Sequence, residues 1–363
     1  MKVFIILTNI TNRAGTERAV VNLCNILAEF HNFSVSIVST DSDSGRAAYE
    51  LNENVKIFHL AGTIGNKNPV KKLLGYKKLF CFLKKAEYEY GKDSCFIGTD
   101  VSFNILIGFF KKAKTVGCEH MNYGSASFAH KFLRKLCYPK LDKVVLLTEK
   151  DKSQYSFLKN ATVIPNCISF EPEKINNYTN KKVIAIGRYT EQKGFDLLLD
   201  CVNLLKEKID GWSFELVGEG EQKGLLEEKI THYGLQKKVK LLPPTSDIQS
   251  IYHSASIYVM SSRWEGLPMV LIEAQSCGLP IVSFDCPEGP SLLVHDGKDG
   301  YLVPANDVQA LSEKLLDLIN DEAKRTRFGK KAFENAKRFS VETISEKWKE
   351  LFGELCCKEF ANV

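Results

Sequence analysis

Residues 261–282, SSRWEGLPMVLIEAQSCGLPIV, predict the end of a strand, a loop, a helix and the start of another strand. Pro268 suits the first helical turn, where its missing N–H is not needed, and Gly278 suits the position just after a helix. The apolar runs IYVMS (257–261) and PIVSF (280–284) on either side have the length of buried strands. The segment is therefore typical of one repeat of a parallel α/β sheet.

Glu265 and Glu273 stand at the two ends of the apolar part of this segment. The free N–H groups at the start of the helix, together with the helix dipole, are suited to bind a phosphate. Glu265 precedes that position and Glu273 lies about one turn inside the helix, so the two carboxylates can bind hydroxyl groups on either side of a diphosphate. A nucleotide sugar has this pattern of groups. Taken alone, the segment fits equally a capping acid and an exposed helix residue.

A second stretch, IAIGRYTEQKGFDLLLD (184–200), predicts a strand, a polar loop and a helix. Gly187 and Arg188 follow the strand, and Lys193 and Gly194 open the helix. Arginine offers a planar fork of donors and lysine a point charge, and a helix start lies behind both. The stretch therefore favours a diphosphate clamp, and the alternative is a surface turn with two incidental cations.

The same alternation of strands and helices runs along the whole chain and predicts an α/β fold of two Rossmann-like domains with doubly wound parallel sheets. We assign residues 1–165 to an N-terminal domain that faces the membrane and the acceptor. We assign residues 166–339 to a C-terminal domain and 340–363 to a helix that packs back on the N-terminal domain. The polar, proline-containing stretch 161–180 predicts the linker. Ligands of such sheets bind at the carboxyl ends of the strands, here facing a deep cleft between the domains.

The composition is that of an ordinary globular protein, with 363 residues of which 44% are hydrophobic and 26% are charged. No apolar run approaches the ~20 residues of a membrane span. The apolar run after Lys2 is too short for a signal peptide. The eleven cysteines form no CxxC pair and no zinc spacing with histidine. We therefore expect a cytoplasmic protein with reduced thiols.

Basic residues concentrate in the first half of the chain. Residues 1–167 carry 24 Lys and Arg against 14 Asp and Glu, a net +10, whereas residues 168–363 carry 25 against 30, a net −5. Three runs interleave lysine with Leu, Phe and Tyr: KKLLGYKKLFCFLKK (71–85), FFKKAK (109–114) and HKFLRKLCYPK (130–140). Such runs predict docking on an anionic membrane surface, and solvated helices whose lysine stems cover the core edge are the alternative. No nucleic-acid motif accompanies the charge, so nucleic acid is not expected as a partner.

Two short motifs suggest other chemistry. DSD (41–43) is similar to a metal-binding DxD sequence, but it lies in a Ser- and Gly-rich loop. GEGEQKG (218–224) approximates a dinucleotide fingerprint, but its spacing is GxGxxxG. We expect the first to hold no metal and the second to bring a strand and a helix close together.

Together these residues resemble the retaining glycosyltransferase family 4, whose GT-B fold has two Rossmann-like domains. The resemblance extends over nearly the whole chain and rests on AGTERAV (14–20), VIPN (163–166), GRYTEQKG (187–194), the pair Glu265-x7-Glu273, CPEGP (286–290), HDGKDGYLVP (295–304) and the final helix. CPEGP followed by HDGKDGYLVP is most similar to the motifs of bacterial enzymes that build O-antigen, capsule and exopolysaccharide chains.

The resemblance implies a role for each candidate residue. Arg188 and Lys193 would hold the diphosphate and stabilise the departing nucleoside diphosphate, Glu265 would contact the transferred sugar and Glu273 the ribose. His120, in CEHMNYG, matches the family's active-site histidine beside the donor sugar. From the residues alone, a single histidine after a strand is more often structural. The resemblance also implies that donor binding involves Gly15, Gly187, Gly266 and Leu267, and that no metal and no cofactor is required.

Two positions depart from the family pattern. Ala14-Gly15 stands where the family has Gly-Gly, which narrows the backbone freedom of that turn. LLPPTSD (241–247) has two prolines where the family commonly has a glycine near the base. The second departure weakens the assignment of uridine as the base.

The sequence therefore predicts a retaining, metal-independent hexosyltransferase that uses a UDP-linked hexose or N-acetylhexosamine. Its acceptor would be a polyprenyl-diphosphate-linked saccharide, and the enzyme would sit peripherally on the inner face of the plasma membrane. Two alternatives stay open. One is a UDP-N-acetylhexosamine 2-epimerase on the same fold, and the other is a non-catalytic nucleotide-sugar-binding partner of another transferase.

Overall fold

Two parallel β-sheets, each covered by helices, divide the chain into two domains. Residues 1–169 and the last helix from Val341 form the N-terminal domain, and residues 170–340 form the C-terminal domain. The predicted boundaries, after residues 165 and 339, lie close to these. The computed structural model describes the chain except residues 14, 31–32, 43, 63, 66–67, 121–122, 124–125, 171–174, 246, 288 and 358–363.

The N-terminal sheet has seven short strands. They are β1 (Lys2–Leu7), β2 (Ser34–Ser39), β3 (Lys56–His59), β4 (Ser94–Gly98), β5 (Lys114–Cys118), β6 (Lys143–Leu146) and β7 (Ala161–Val163). They pair in parallel in the order β3-β2-β1-β4-β5-β6-β7. The order reverses between β1 and β4, which is where an open α/β sheet binds its ligands.

Helices cover both faces of this sheet. They are α1 (Gly15–Ala28), α2 (Pro69–Tyr90), α3 (Val101–Ile107), α4 (Phe128–Cys137) and α5 (Glu149–Gln154). Val3, Ile5 and Leu7 of β1 pack on one face with α1, whereas Phe4 and Ile6 pack on the other face with α2 and α3. This alternation follows from the two-residue period of a strand, and it explains why β1 is apolar from Val3 to Leu7.

Strand β7 corrects one expectation. The sequence predicts that the linker starts at residue 161, but Ala161–Val163 pairs in parallel with β6. The hydrogen bond from Ile164 N to the Leu146 carbonyl, at 3.0 Å, continues that pairing. Three residues are too few to show the two-residue period of a strand, and Pro165 close behind them is a linker signal. The predicted linker therefore loses its first three residues to the sheet.

The C-terminal domain repeats the same design with six parallel strands. They are β8 (Lys182–Ile186), β9 (Ser213–Val217), β10 (Val239–Leu242), β11 (Ile257–Met260), β12 (Ile281–Asp285) and β13 (Gly300–Pro304). Their order is β10-β9-β8-β11-β12-β13, so it reverses between β8 and β11. The helices are α6 (Phe195–Leu205), α7 (Lys223–His232), α8 (Ile248–His253), α9 (Met269–Ser276), α10 (Pro290–Leu293), α11 (Val308–Asn320) and α12 (Glu322–Ala336).

The last helix, α13 (Val341–Cys357), returns to the N-terminal domain. Ile344, Trp348, Leu351 and Leu355 are buried in the core that α1 and β1 share. These four residues lie on one face of the helix, at three- and four-residue spacing. Within the described part of the chain, no helix is both long enough and apolar enough to span a bilayer.

Candidate active site

The two segments expected to bind a nucleotide sugar follow neighbouring strands of the C-terminal sheet. Gly187 and Arg188 come directly after β8, and the loop 261–268 comes directly after β11. These strands flank the point at which the strand order reverses. Both loops therefore emerge at the edge of the sheet where ligands of this architecture bind.

Lys193 and Glu265 meet at this edge. Lys193 Nζ donates a hydrogen bond to Glu265 Oε1 at 2.6 Å, and Ser262 Oγ donates to the same oxygen at 2.6 Å. The side chains of Lys193 and Glu265 are 17% and 7% exposed. The sequence assigns these residues to different parts of a ligand, but they form one ion pair although 72 residues separate them. A ligand group that binds to one of these two side chains therefore lies next to the other side chain.

A second ion pair joins the two loops. Arg263 Nη1 and Nη2 donate to the two carboxylate oxygens of Asp196 at 2.8 and 2.7 Å, and Nη1 also donates to the Glu191 carbonyl at 2.8 Å. Burial opposes ionisation of Asp196, but the hydrogen bonds from Arg263 lower the pKa of its carboxyl. These contacts attach the loop after β11 to the start of α6. Sequence reasoning gave Arg263 no role, because a charge pair between distant loops leaves no pattern along the chain.

Gly194 allows the two loops to come this close. It has a φ of +61°, and a Cβ at this position would overlap the Ser261 carbonyl oxygen. The Ser261 hydroxyl donates to the Lys193 carbonyl at 3.0 Å. A side chain at position 194 would therefore be strained and would also push the two loops apart.

Arg188 is exposed in the loop after β8. Within the ranges that the structure describes, its guanidinium makes no hydrogen bond and no ion pair. The preceding residue, Gly187, packs so closely on Lys193 that a Cβ would lie 3.2 Å from its Cδ. An uncommitted guanidinium is suited to bind an anion with two parallel hydrogen bonds.

Glu273 lies in the second turn of α9 and is fully buried. Its Oε2 accepts a hydrogen bond from the Tyr252 hydroxyl at 2.9 Å. The burial excludes the alternative of an exposed helix residue, and contact with a ribose stays a prediction. Pro268 stands just before α9 rather than in its first turn. Gly266, exposed, and Leu267, half-buried, belong to the loop in front of it.

The end of α9 confirms the expected role of Gly278. Its φ is +76°, and its N–H bonds to the Gln275 carbonyl at 2.8 Å. Leu279 N bonds to the Ala274 carbonyl at 2.9 Å. This pair of bonds is a Schellman motif, the usual way in which a glycine ends a helix.

His120 follows β5 in the N-terminal domain and lines a small cavity there. Apolar side chains form most of its wall, among them Val20, Leu23, Val145 and Trp348. Burial lowers the pKa of His120 to about 4, so the imidazole is neutral at pH 7. A neutral imidazole donates one hydrogen bond and accepts another, but it offers no positive charge to a phosphate.

The motifs of the C-terminal domain match those of a known family. The sequence model of the family described as glycosyl transferases group 1 matches residues 168–335. The amylovoran biosynthesis glycosyltransferase AmsD of Erwinia amylovora is 32% identical and covers 97% of this chain and 99% of its own. The chain belongs to the group 1 glycosyltransferases.

Two further comparisons agree with this membership. A Campylobacter jejuni α-1,4-N-acetyl-D-galactosaminyltransferase, whose name gives a PP-undecaprenol-linked saccharide as its acceptor, is 30% identical over 98% of this chain and 99% of its own. The crystal structure of a TarM mutant of S. aureus, in complex with fondaparinux, α-GlcNAc-glycerol and UDP, has a TM-score of 0.79 at 19% identity. It covers 97% of this chain and 99% of its own. The predicted GT-B fold of two Rossmann-like domains is confirmed.

In this glycosyltransferase a buried network surrounds Glu119, at the end of β5. Glu119 Oε2 pairs with Arg134 Nη2 at 2.6 Å, and the two side chains are 3% and 1% exposed. Tyr138 and Tyr155 donate their hydroxyls to the same carboxylate. Burial raises the pKa of the Glu119 carboxyl, and Arg134 acts against that shift. Arg134 belongs to the run 130–140, so the expectation that this run is solvated or docked on a membrane is wrong for this one residue.

Two glycine-containing segments have different surroundings. Gly15 begins α1, and a Cβ there would meet nothing within 4 Å, whereas Ala14 lies outside the described residues. The segment 218–224 is tied to the loop after β8, since Tyr189 N donates to the Glu219 carbonyl at 2.8 Å. The segment therefore packs on the loop after β8, and the expectation that it brings a strand and a helix close together stays a prediction.

Asp41 of the DSD motif has a structural role. Asp41 accepts hydrogen bonds from the backbone N–H groups of Ile64 and Gly65 at 2.8 and 2.5 Å, and Asp43 lies outside the described residues. Both carboxylate oxygens of Asp41 thus hold a loop of the protein. Among the described residues, no group of three or more His, Cys, Asp or Glu side chains is arranged to hold a metal ion.

Proposed function

We propose that this glycosyltransferase moves a hexose or an N-acetylhexosamine from a UDP-sugar to a polyprenyl-diphosphate-linked saccharide, with retention of the anomeric configuration, in the assembly of O-antigen or capsule. The Lys193–Glu265 pair carries the proposal. It offers a cation for a diphosphate and a carboxylate for sugar hydroxyls at the point where the strand order reverses.

In the proposed reaction, the acceptor hydroxyl attacks the anomeric carbon from the face of the leaving group. The bond between the anomeric carbon and the diphosphate oxygen breaks, and the acceptor proton passes to an oxygen of the departing diphosphate. Arg188 and Lys193 stabilise the charge that grows on that diphosphate. Lys193 is held in place by Glu265 before the reaction, so it needs little reorganisation in the transition state.

The other candidate residues bind or orient the substrate in this proposal. Glu265 accepts a hydrogen bond from the transferred sugar, and Glu273 is assigned to the ribose. His120 is assigned a hydrogen bond to the transferred sugar, which suits an imidazole that is neutral at pH 7. The remaining residues assigned to donor binding are Gly15, Gly187, Gly266 and Leu267.

The donor nucleotide and the absence of a metal are parts of the same proposal. UDP is present in the TarM complex, a protein that shares the fold, and the resemblance to family 4 implies a uridine nucleotide. The two prolines at 243 and 244 stand where that family commonly has a glycine near the base. Arg188 and Lys193 supply positive charge at the diphosphate, so we propose that turnover needs no divalent cation.

The acceptor and the location follow from the relatives and from the charge. The Campylobacter transferase takes its name from a PP-undecaprenol-linked saccharide, and AmsD takes its name from amylovoran biosynthesis. A lipid-linked acceptor stays at the membrane, and residues 1–167 carry a net +10. We therefore propose that the enzyme works peripherally on the anionic inner face of the plasma membrane.

One experiment tests the reaction. The full chain is incubated with UDP-Gal, UDP-Glc, UDP-GalNAc or UDP-GlcNAc and undecaprenyl-diphosphate saccharides, with and without EDTA. NMR of the product then gives the linkage. One donor should be consumed only when acceptor is present, EDTA should have no effect, and the anomeric centre should be retained. An inverted centre would contradict the retaining mechanism.

Two other outcomes point to the alternatives. Conversion of a UDP-N-acetylhexosamine to its C2 epimer without acceptor would identify an epimerase. Binding of UDP without turnover on any acceptor would identify a non-catalytic partner of another transferase.

A further inference from the structure

Helix α4 exposes apolar side chains and buries a charged one. Phe128, Phe132 and Leu136, which lie on one stripe at four-residue spacing, are 86%, 59% and 54% exposed. Arg134 and Cys137, on the other side of the helix, are buried. A helix on the surface of a water-soluble domain normally has the opposite arrangement, with its apolar stripe against the core.

The ion pair between Arg134 and Glu119 fixes this orientation. Rotating α4 to bury its phenylalanines would draw Arg134 away and leave the Glu119 carboxylate buried without its cation, which is strongly unfavourable. Tyr138, directly after the helix, is also buried and donates its hydroxyl to Glu119. The buried ion pair therefore keeps the apolar stripe of α4 exposed.

The first two turns of α2 have the same character. Val70, Leu73 and Leu74 are 65%, 70% and 59% exposed, and the first buried residue of the helix is Gly75. The helix therefore begins with apolar side chains that contact no core. Two helices of the N-terminal domain thus present leucine, valine and phenylalanine to the surroundings.

Both helices begin near Asp100, the N-cap of α3. Burial raises the pKa of the Asp100 carboxyl, and the basic side chains of Lys72 in α2 and His130 in α4 lie close enough to oppose that shift. Tyr76 of α2 is hydrogen-bonded with Ser102 of α3, and α4 packs on α3. The two exposed apolar stretches therefore lie on one side of the domain, at the carboxyl edge of its sheet.

Positive charge surrounds these apolar side chains. The segments 69–85 and 128–140 contain no Asp and no Glu. Apart from Arg134, buried against Glu119, and Lys84, paired with Glu87, their basic residues are Lys71, Lys72, Lys77, Lys78, Lys85, His130, Lys131, Lys135 and Lys140. Apolar side chains with basic neighbours are typical of helices that lie in the interface of an anionic bilayer. A second copy of this chain would bring the same positive face and be repelled.

We propose that α4 and the first two turns of α2 form an insertion surface for anionic lipid bilayers. Phe128, Phe132 and Leu136 of α4 and Leu73 of α2 enter the boundary between headgroups and acyl chains, while the lysines contact lipid phosphates. The inference deepens the proposed function, since it rests on a membrane-anchored acceptor for its purpose. Binding to lipid can nevertheless be measured without any sugar.

Vesicle sedimentation with the full chain tests this surface. The variant Phe128→Ser, Phe132→Ser, Leu136→Ser should bind vesicles of phosphatidylglycerol and phosphatidylcholine about 100-fold more weakly than the wild type, because three apolar side chains no longer leave water. The matched control, Leu204→Ser with Leu225→Ser, changes two leucines of the C-terminal domain that are 49% and 50% exposed. It should bind within about twofold of the wild type.

Fluorescence locates the contact. Phe132→Trp should show a blue shift on vesicle binding and quenching by brominated lipids, whereas Leu225→Trp should show neither. Wild-type vesicle binding that the triple serine variant retains in full, with unchanged circular dichroism, would overturn the proposal. A lipid-free dimer that the triple variant abolishes would also overturn it and assign the surface to a second copy of the chain.

Transfer to a water-soluble acceptor analogue keeps this inference distinct from the proposed function. The triple serine variant should retain that transfer, because none of its three substituted residues belongs to the donor site. Vesicle binding without any transfer by the wild type would support the surface and refute the proposed function. Transfer by a wild type that does not bind vesicles would do the reverse.

Discussion

Two ion pairs of equal length, 2.6 Å, differ in how completely the protein encloses them. Lys193 and Glu265 lie at the ligand-binding edge of the C-terminal sheet, with side chains 17% and 7% exposed. Glu119 and Arg134 lie inside the N-terminal domain, 3% and 1% exposed, and two tyrosine hydroxyls complete the surroundings of the carboxylate. One pair is open to a ligand, and the other is closed.

The difference in enclosure separates the two kinds of role. A charge in the open pair can turn to a ligand without being left unpaired, because water and ligand atoms reach it. A charge in the closed pair cannot, since removing its partner leaves it desolvated and uncompensated. We therefore expect the open pair to control turnover and the closed pair to control stability and the orientation of α4.

The largest effect is expected from Arg134→Met. The substitution leaves Glu119 buried without its cation, so the free energy of unfolding should fall by about 3–5 kcal/mol. The melting temperature of the N-terminal domain, measured by calorimetry, should fall by roughly 10 °C. The double variant Glu119→Leu, Arg134→Met, which removes both charges, should recover at least half of the loss. If Arg134→Met melts at the same temperature as the wild type, the closed pair does not stabilise the domain.

Substitutions in the open pair should lower the turnover of the enzyme. Lys193→Ala and Glu265→Gln should each lower kcat by at least ~100-fold, as expected for losing one transition-state contact. Because the two side chains form one contact, the double variant should lose clearly less than the product of the single losses. Lys223→Ala, which changes an exposed lysine paired with Glu227, is the matched control and should keep full activity. Purely multiplicative losses would mean that the residues act separately.

Arg188→Ala is a companion to these variants. Its guanidinium has no partner within the described chain, so its removal disturbs no protein contact and should lower kcat by ~100-fold as well. Arg188→Lys keeps the charge but loses the fork and should fall between the wild type and the alanine variant. Near-normal turnover of Arg188→Ala would remove the residue from the diphosphate clamp.

The sequence marks the two residues of the open pair as functional, although not their contact with each other, and it marks neither residue of the closed pair. Lys193 and Glu265 each stand in a loop directly after an apolar run and next to a glycine or a helix start, so local pattern marks them. Arg134 stands among lysines in a run that resembles any basic surface helix. Its burial depends on Glu119, which directly follows strand β5, and the local periodicity of a helix does not contain such a pairing.

The same limit applies to the fold. Strands such as β1 and β12 are apolar runs between turn signals, so their positions follow from the sequence. Strand β7 has three residues and exists because β6 pairs with it. The ion pair of Arg263 with Asp196 also depends on two loops that meet only when β8 and β11 become neighbours.

Titration of His120 tests whether the small cavity that it lines in the N-terminal domain excludes water. Burial lowers the pKa of His120 to about 4, whereas an unfolded histidine titrates near 6.5. Between these values the unfolded state binds more protons, so stability is full above pH 6.5 and falls as the pH drops towards 4. From pH 7.5 to 5 the loss should be about 2 kcal/mol. His120→Asn should remove that part of the slope in urea unfolding, and an unchanged slope would contradict a lowered pKa of the imidazole.

Arg263→Lys should have the smallest effect on kcat. It tests whether the Lys193–Glu265 pair depends on the contact between Arg263 and Asp196. A lysine can reach one oxygen of Asp196 but cannot form the two parallel bonds or also reach the Glu191 carbonyl, so the loop after β11 is held less firmly. Because Glu265 lies in that loop, kcat should fall by roughly 10-fold while the melting temperature changes little.

Asp196→Asn supplies the comparison for Arg263. It breaks the same contact from the other side, so the double variant should lose within about twofold of the larger single loss. Steady-state kinetics with the donor varied would separate a fall in kcat from a rise in KM. A lower melting temperature with unchanged kcat would make the contact structural, and the open pair would then keep its geometry without Arg263.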